Sequence, residues 1–166
     1  MKQKGKVGIK LVDFGTSMFL HEAHFSYIQS RFYRAPEVIL GAKYGTAIDM
    51  WSFGCLVGEL TLGNPLFAGD NEQEQLSLIL RTVKAPSQEF LGQCKNASKF
   101  FNKDLTPKVI KGKDGKALIP GSRPLSSLFT DPELSNFLEK VLMVEPSKRL
   151  TPLQALAEPW ILGYFP

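Results

Sequence analysis

The chain has 166 residues and a mass of 18.5 kDa, which is the length of one domain of ordinary size. Apolar residues make up 43% of the sequence and charged residues 22%, a composition that argues against a disordered chain. The net charge is a modest +4, and no apolar run approaches the ~18 residues that a membrane span needs. We therefore expect a globular chain without a membrane partner.

The first predicted element is a short β-strand over Val7–Val12, followed by Asp13, Phe14 and Gly15, where glycine permits a sharp turn. Residues 16–35 show no sustained hydrophobic period, so we predict a long ordered loop. Loops of this length inside compact domains are usually functional. All β-structure is expected in the first dozen residues.

The central element is a predicted helix over residues 45–63. Its apolar side chains point in every direction around the axis, and a helix that is apolar all round must be buried on all sides. Gly54 and Gly58 cost about 1 kcal/mol each in helix propensity, which close packing of another element would explain. We expect this helix to lie at the centre of the fold.

A second helix and an irregular insert are predicted next. The helix is expected over residues 71–83, with Asp70 as its cap and Gln73 at the reciprocal position of a capping box. Residues 85–127 are rich in proline and glycine, which indicates an irregular insert with one short helix around residues 89–101.

Two helices are predicted towards the C-terminal end, within residues 131–160. The first follows Asp131 and Pro132, and it shows the apolar spacing of an amphipathic helix. The second is short, and it opens at Thr151 and runs to about Ala157. The chain as a whole is therefore predicted to be mainly α-helical.

Cysteine and histidine usage disfavours disulfide and metal sites. Cys55 and Cys94 suit a reducing compartment and form neither a disulfide framework nor a metal quartet. We therefore expect an intracellular protein, in the cytoplasm, the nucleus or both. His21 and His24 have no cysteine or carboxylate constellation around them, which argues against a metal site at this pair.

Seven lysines cluster within residues 95–116. A nucleic-acid interface would need interleaved aromatic side chains, and only Phe100 and Phe101 are available for that role. A solvated loop is the simpler interpretation, so no direct nucleic-acid partner is expected.

Four separated motifs carry the functional information. They are Asp13–Gly15 after the strand, the triplet Ala35, Pro36 and Glu37, the run Asp49–Gly54 with Trp51 at the start of the central helix, and Arg149 ahead of the last helix. In this order they resemble the large lobe of a eukaryotic protein kinase. The likeness extends over essentially the whole chain, from Ile9 to Trp160.

Two further stretches narrow the resemblance. The run Tyr33–Glu37, together with the long insert, is similar to the branch of cyclin-dependent, mitogen-activated and dual-specificity tyrosine-regulated kinases, the CMGC group. The stretches Tyr27–Arg34 and Ala47–Ser52 most resemble the dual-specificity tyrosine-regulated family. Homeodomain-interacting kinases are a close second.

The resemblance implies one partial protein kinase domain over residues 1–166. Its fold would be mainly α, a kinase-like α+β large lobe with a central buried helix, a short N-terminal strand and a long irregular insert. The parts would be a strand with Asp-Phe-Gly at 7–15, an activation segment at 16–37, the central helix at 45–63, the insert at 85–127 and C-terminal helices at 131–160.

The resemblance also implies roles for residues of the first part. Asp13, in the Asp-Phe-Gly motif, would hold Mg²⁺ against the phosphates of ATP, because a hard cation prefers oxygen ligands. Tyr27 would be an activation-loop tyrosine that the family phosphorylates on itself, with Arg31 and Arg34 binding its phosphate. Ser30 would line the pocket of the substrate hydroxyl, and Arg34 would also shape the pocket for the next substrate residue.

Simpler interpretations of these residues stay open. Asp13 could cap a turn at the end of a strand, and Tyr27 could be a packed aromatic with an exposed hydroxyl group. Glu37 and Arg149 would form a buried, structural ion pair. Asp49 would anchor the backbone of the catalytic loop in a complete kinase, and Gly54 belongs to the same signature.

A complete kinase domain also has a glycine-rich loop, a strand lysine and a His-Arg-Asp catalytic loop, none of which occurs here. The small lobe and catalytic loop are thus absent, and the 166-residue chain alone is predicted to be inactive and loosely packed. The complete enzyme would be a monomeric, ATP- and Mg²⁺-dependent serine/threonine kinase of the dual-specificity type, acting on protein substrates. The alternatives are a non-catalytic interaction module and a kinase-like relative that has lost activity.

Overall fold

The computed structural model describes residues 8–22, 25 and 27–163, and the regular secondary structure of this part is helical. The α-helices are α1 (Pro36–Leu40), α2 (Ala47–Leu62), α3 (Glu72–Thr82), α4 (Gln88–Gly92), α5 (Ala97–Phe100), α6 (Pro132–Val141), α7 (Pro152–Ala155) and α8 (Pro159–Leu162). Short 3₁₀ turns lie at Leu20–Glu22, Arg31–Tyr33, Leu125–Ser127 and Pro146–Lys148. The predicted mainly helical class is therefore confirmed.

The predicted N-terminal strand is wrong for the described part of the segment. Residues 8–12 are irregular, while Val7 lies outside the described residues. The side chains of Ile9, Leu11 and Val12 are 96%, 87% and 78% exposed. A strand is stabilised by hydrogen bonds to a neighbouring strand, and no described segment pairs with residues 8–12. The isolated β-bridges join Phe101 with Pro107 and Lys111 with Ala117 instead, both within the insert.

Helix α2 lies at the centre of the core, as predicted. Trp51 is fully buried on this helix, and its ring stacks on Phe67 with the ring centroids 5.9 Å apart. The other buried positions of α2 are Met50, Gly54, Cys55, Val57 and Gly58. Helix α6 packs against α2 and contributes Phe137, whose ring meets Phe53 edge-on at 6.4 Å.

Burial of α2 on all sides, however, is not found. Phe53, Leu56 and Leu60 are 39%, 47% and 77% exposed, although their side chains are apolar. The sequence pattern reports that a face is apolar, but burial also needs an element that covers it. No described element covers this face of the helix completely.

Gly54 meets the close packing that its sequence position predicted. A Cβ atom at this position would lie 2.8 Å from side-chain atoms of both Val141 and Leu142. We expect Gly54→Ala to lower the free energy of unfolding by about 1–3 kcal/mol, because overpacking outweighs the better helix propensity of alanine. Urea denaturation measures this loss.

Gly92 provides the matched control for that substitution. It also lies in a helix, α4, and a Cβ atom there would meet nothing within 4 Å. Gly92→Ala should therefore leave stability unchanged or raise it slightly. Equal losses in the two variants would contradict the packing argument.

The cap of α3 is Asn71, not the predicted Asp70. The Asn71 side chain accepts a hydrogen bond from the Glu74 backbone N–H at 2.9 Å. Glu74, rather than Gln73, reaches back, and its Oε2 accepts from the Asp70 N–H at 2.8 Å. Both Asp and Asn are good caps, so composition alone could not choose between neighbours. The Asp70 carboxylate pairs with Lys113 instead, at 2.6 Å.

The remaining helices largely follow local signals. The helix expected over residues 89–101 is divided into α4 and α5, and Ser87 caps α4 by accepting from the Phe90 N–H at 3.2 Å. Asp131 caps α6, and Thr151 forms a capping box at the start of α7. In the part of the chain that the structure describes, no helix has the length and apolarity to cross a membrane.

Candidate functional site

Tyr27 lies on the surface beneath the guanidinium group of Arg34. The Cζ atom of Arg34 is 4.1 Å from the centroid of the Tyr27 ring, and Tyr27 is 70% exposed. Arg34 is buried, and its Nε and Nη2 atoms donate to the carbonyl groups of Ile28 and Gln29 at 2.9 and 3.0 Å. Its Nη1 atom pairs with the Glu72 carboxylate at 3.1 Å. These contacts hold the Arg34 guanidinium group in place without a bound ligand.

Arg31 is the second cation beside Tyr27. Its Nη1 atom donates to the Asp70 backbone carbonyl at 2.7 Å, and its buried Nε atom has no hydrogen-bond partner among the described residues. Hydrogen bonding and charge from Arg34, with smaller contributions from Arg31, lower the pKa of the Tyr27 hydroxyl below its usual 10.0. The site therefore favours negative charge at this hydroxyl.

Gln29 joins the segment that carries Tyr27 and Arg34 to α2 by hydrogen bonds. The sequence patterns did not indicate this role. Gln29 has a backbone φ of 62°, which few non-glycine residues adopt. Its Nε2 atom donates to the Ile48 carbonyl at 3.0 Å and to Ser52 Oγ at 2.8 Å, while its Oε1 accepts from the Ala35 N–H at 3.0 Å. These three hydrogen bonds offset the unfavourable backbone conformation.

Tyr33 adds a second contact between this segment and α2. Its hydroxyl donates to Glu59 Oε2 at 2.6 Å, and this hydrogen bond, with burial, raises the pKa of Tyr33 above 10.0. Its carbonyl accepts from Ser52 Oγ at 2.8 Å. The partners lie 19 and 26 residues away, so no local pattern could reveal them.

The two tyrosines should ionise in a defined order. We expect Tyr27 to lose its proton at lower pH than Tyr33, because arginines face the first hydroxyl and a carboxylate faces the second. The stability that Tyr33 contributes is complete below pH 10.0 and is lost as pH rises through its raised pKa. Phenolate absorbance titrations of Tyr27→Phe and Tyr33→Phe test this order, and ionisation of Tyr33 first would contradict it.

Asp13, Phe14 and Gly15 form an exposed turn. Asp13 is exposed with a φ of 64°, and its Oδ1 accepts from the Gly15 N–H at 3.4 Å, while Phe14 is 67% exposed. This geometry matches a carboxylate that closes its own turn. The described residues hold no group of three or more potential metal ligands, and His24 lies outside them. Asp13 offers a hard cation suitable oxygen atoms, but it is a single ligand.

Glu37 and Arg149 form a fully buried ion pair. Two Arg149 nitrogens each donate to one Glu37 carboxylate oxygen at 2.8 Å, and both side chains are 0% exposed. Arg149 also donates to the carbonyl groups of Ala47 and Met143 at 2.7 and 3.0 Å, and it lies over the Trp51 ring at 5.3 Å. The pair therefore ties α1, whose first residue Pro36 is buried together with the preceding Ala35, to the start of α2 and to the segment before α7.

Asp49 borders a cavity of about 260 Å³ at the start of α2. The cavity lies between residues 16–18 and Gln29 on one side and the first turn of α2 on the other. Asp49 is exposed, but partial desolvation raises the pKa of its carboxyl group. Ser30 is exposed directly before the 3₁₀ turn Arg31–Tyr33. Neither Asp49 nor Ser30 forms a side-chain hydrogen bond with the described residues.

Comparison with known proteins shows which family the sequence matches. A model of the protein kinase domain family matches residues 1–161. The human protein named dual specificity tyrosine-phosphorylation-regulated kinase 4 is 45% identical over 161 residues, which cover 96% of this chain and 31% of the relative.

Two further relatives come from a fly and a yeast. A putative dual specificity tyrosine-phosphorylation-regulated kinase 3 homolog of Drosophila melanogaster is 41% identical over all of this chain and 22% of its own length. The serine/threonine-protein kinase ppk5 of Schizosaccharomyces pombe is 42% identical over 95% of this chain and 19% of its own length. The chain therefore spans less than a third of the length of these curated relatives.

Proposed function

Because the chain belongs to the protein kinase domain family, we propose that it forms part of an enzyme that transfers the γ-phosphate of ATP to protein hydroxyl groups. The names of its relatives support a serine/threonine kinase of the dual-specificity type. Protein substrates and ATP are the partners that this activity requires. An intracellular, monomeric enzyme is part of the proposal, and the two unpaired cysteines are compatible with a reducing compartment.

The observation that carries the proposal is the position of Tyr27 against Arg34. A phosphate on Tyr27 would add about −1.5 to −2 charges and three acceptor oxygens. The Nε of Arg31, which has no hydrogen-bond partner among the described residues, is available as a donor, and Arg34 could exchange its Glu72 partner for the phosphate. Tyr27 is thus proposed as the phosphorylated switch of the activation segment, with Arg31 and Arg34 as its ligands.

The remaining signature residues receive proposed roles that fit their surroundings. Asp13 would supply one oxygen ligand to Mg²⁺, which neutralises phosphate charge during phosphoryl transfer. Ser30, exposed three residues after Tyr27 in the sequence, would line the pocket of the substrate hydroxyl, and Arg34 would shape the neighbouring pocket. Asp49 would anchor the backbone of a catalytic loop through its carboxylate.

A chimeric kinase tests this proposal. Residues 9–161 would replace the matching segment of the human relative, dual specificity tyrosine-phosphorylation-regulated kinase 4. We expect the chimera to phosphorylate a serine/threonine peptide from ATP and to carry phosphate on Tyr27, as read by mass spectrometry. The isolated 166-residue chain should transfer none, because it has no glycine-rich loop, strand lysine or His-Arg-Asp loop.

Within the chimera, Tyr27→Phe should lower activity about tenfold, the effect of losing one or two charge-assisted hydrogen bonds. Tyr44→Phe is the matched control, because the only hydrogen bond of the Tyr44 hydroxyl among the described residues goes to the Met18 sulfur at 3.7 Å, and this variant should retain activity. A chimera that folds but transfers no phosphate would favour the second candidate, a non-catalytic interaction module. Equal losses in both tyrosine variants would contradict the role of Tyr27.

A further inference from the structure

The insert contains a tight turn that concentrates positive charge, residues 111–117, here called the basic turn. Lys111, Lys113 and Lys116 fall within its seven residues, and all three are exposed. The Gly112 N–H donates to the Lys116 carbonyl and the Gly115 N–H to the Gly112 carbonyl, each at 2.9 Å. The bridge between residues 111 and 117 closes the turn. The three ammonium groups are therefore carried by an ordered backbone.

The carboxylates of the insert form no ion pair with these lysines. Asp114, inside the basic turn, uses its Oδ1 to accept from the Lys116 backbone N–H at 3.0 Å. Asp104 is used in the same way by Thr106, whose N–H and hydroxyl donate to its Oδ1 at 3.1 and 2.7 Å. Among the described residues, Lys111 and Lys116 form no ion pair, so their charges are available to a partner.

The third lysine joins the basic turn to the activation segment. Lys113 Nζ pairs with the Asp70 carboxylate at 2.6 Å, at the start of α3. The Asp70 backbone carbonyl in turn accepts from Arg31, one of the two cations beside Tyr27. A molecule held by the basic turn would therefore lie next to the segment that carries Tyr27.

The chemistry of this surface favours an acidic peptide over a nucleic acid. Single-stranded nucleic acid is bound with aromatic side chains on which its bases stack. The aromatic residues nearest in sequence, Phe100 and Phe101, are only 4% and 3% exposed, and the basic turn contains none. Carboxylate side chains need no stacking surface, and they complement exposed ammonium groups directly.

We propose that the basic turn is a docking site for an acidic segment of a protein partner. Lys111 and Lys116 bind its carboxylates, and Lys113 joins them when the acidic segment displaces Asp70. The site lies outside the phosphate-transfer machinery, so docking does not depend on the enzymatic activity proposed above. An interaction of this kind is electrostatic, and it should weaken as ionic strength rises.

Fluorescence anisotropy with the whole chain tests this docking. The probe is a fluorescein-labelled decapeptide of alternating glutamate and glycine, at about 50 mM salt, where surface charges are weakly screened. We expect Lys111→Gln/Lys116→Gln to weaken binding about fivefold, the effect of two exposed ion pairs. Lys43→Gln/Lys84→Gln removes two exposed lysines elsewhere and should change binding less than about twofold.

A second variant raises affinity instead of lowering it. Asp70→Asn releases Lys113 and should strengthen peptide binding about two- to threefold, whereas Glu139→Gln removes an equal but distant charge and should have little effect. The proposal would be overturned if the two lysine double variants had equal effects on binding, or if Asp70→Asn and Glu139→Gln did. In either case the change in net charge alone would explain the result. Tighter binding of a ten-nucleotide oligouridine through the same lysines would also overturn the proposal, in favour of RNA.

Discussion

Replacing Glu37 with alanine is expected to lower the free energy of unfolding by about 3–5 kcal/mol, the typical cost of leaving one partner of a buried pair uncompensated. The substitution would leave the Arg149 guanidinium buried without its bidentate carboxylate, although three backbone carbonyls would still accept from it. The effect should be large because the pair joins segments 112 residues apart in the sequence. Urea denaturation followed by circular dichroism measures the loss.

Two further variants separate the buried pair from ordinary surface charge. Lys113→Gln removes an exposed ion pair and should have a much smaller effect, since solvent screens such pairs. The double variant Glu37→Leu/Arg149→Leu should be less destabilised than either single variant, because no uncompensated charge remains. Similar losses for Glu37→Ala and Lys113→Gln would contradict the structural role of the buried pair.

In the chimeric kinase, Asp13→Asn is expected to reduce the rate of phosphate transfer by about 10²–10³-fold. This estimate converts the several kcal/mol that a bound metal contributes to charge stabilisation in the transition state. The isosteric amide should keep the turn, since its oxygen can still accept from the Gly15 N–H. The initial rate of peptide phosphorylation at saturating ATP measures the effect.

Glu139→Gln is the control for Asp13→Asn, because Glu139 is an exposed carboxylate on α6 with no ion pair among the described residues. It should change the rate by less than about twofold. If Asp13→Asn behaved in the same way, the turn-closing interpretation of Asp13 would be sufficient. A proportional loss of Mg²⁺ dependence in Asp13→Asn would instead support its proposed role as a metal ligand.

Local sequence signals predicted where helices begin better than they predicted the tertiary contacts of the residues at those positions. The starts of α6 and α7 next to Asp131 and Thr151 were predicted, because a residue that caps a helix bonds to backbone groups two or three residues away. The cap of α3 was misplaced by one residue, since Asp70 and Asn71 are both competent caps. Only the fold decided between them, because Asp70 also had Lys113 available as a partner.

The residues of the candidate site were predicted from the sequence, but many of their contacts were not. Its resemblance to a kinase family singled out Tyr27, Arg31 and Arg34, and the structure brings these three side chains together. The hydrogen bonds of Gln29 to α2 and the ion pair between Arg34 and Glu72 were missed. These contacts join residues 23 and 38 positions apart, so neither spacing nor composition could indicate them.

Apolar patterns, local helix signals and the order of the motifs were enough to predict the helical class, the long helix near residues 45–63 and the family. Tertiary structure alone decided that residues 8–12 form no strand and that Phe53, Leu56 and Leu60 stay exposed. The physical reason is that strand pairing and burial are properties of two surfaces. The sequence of one segment can favour a strand or an apolar face, but pairing and burial require a second segment that lies against it.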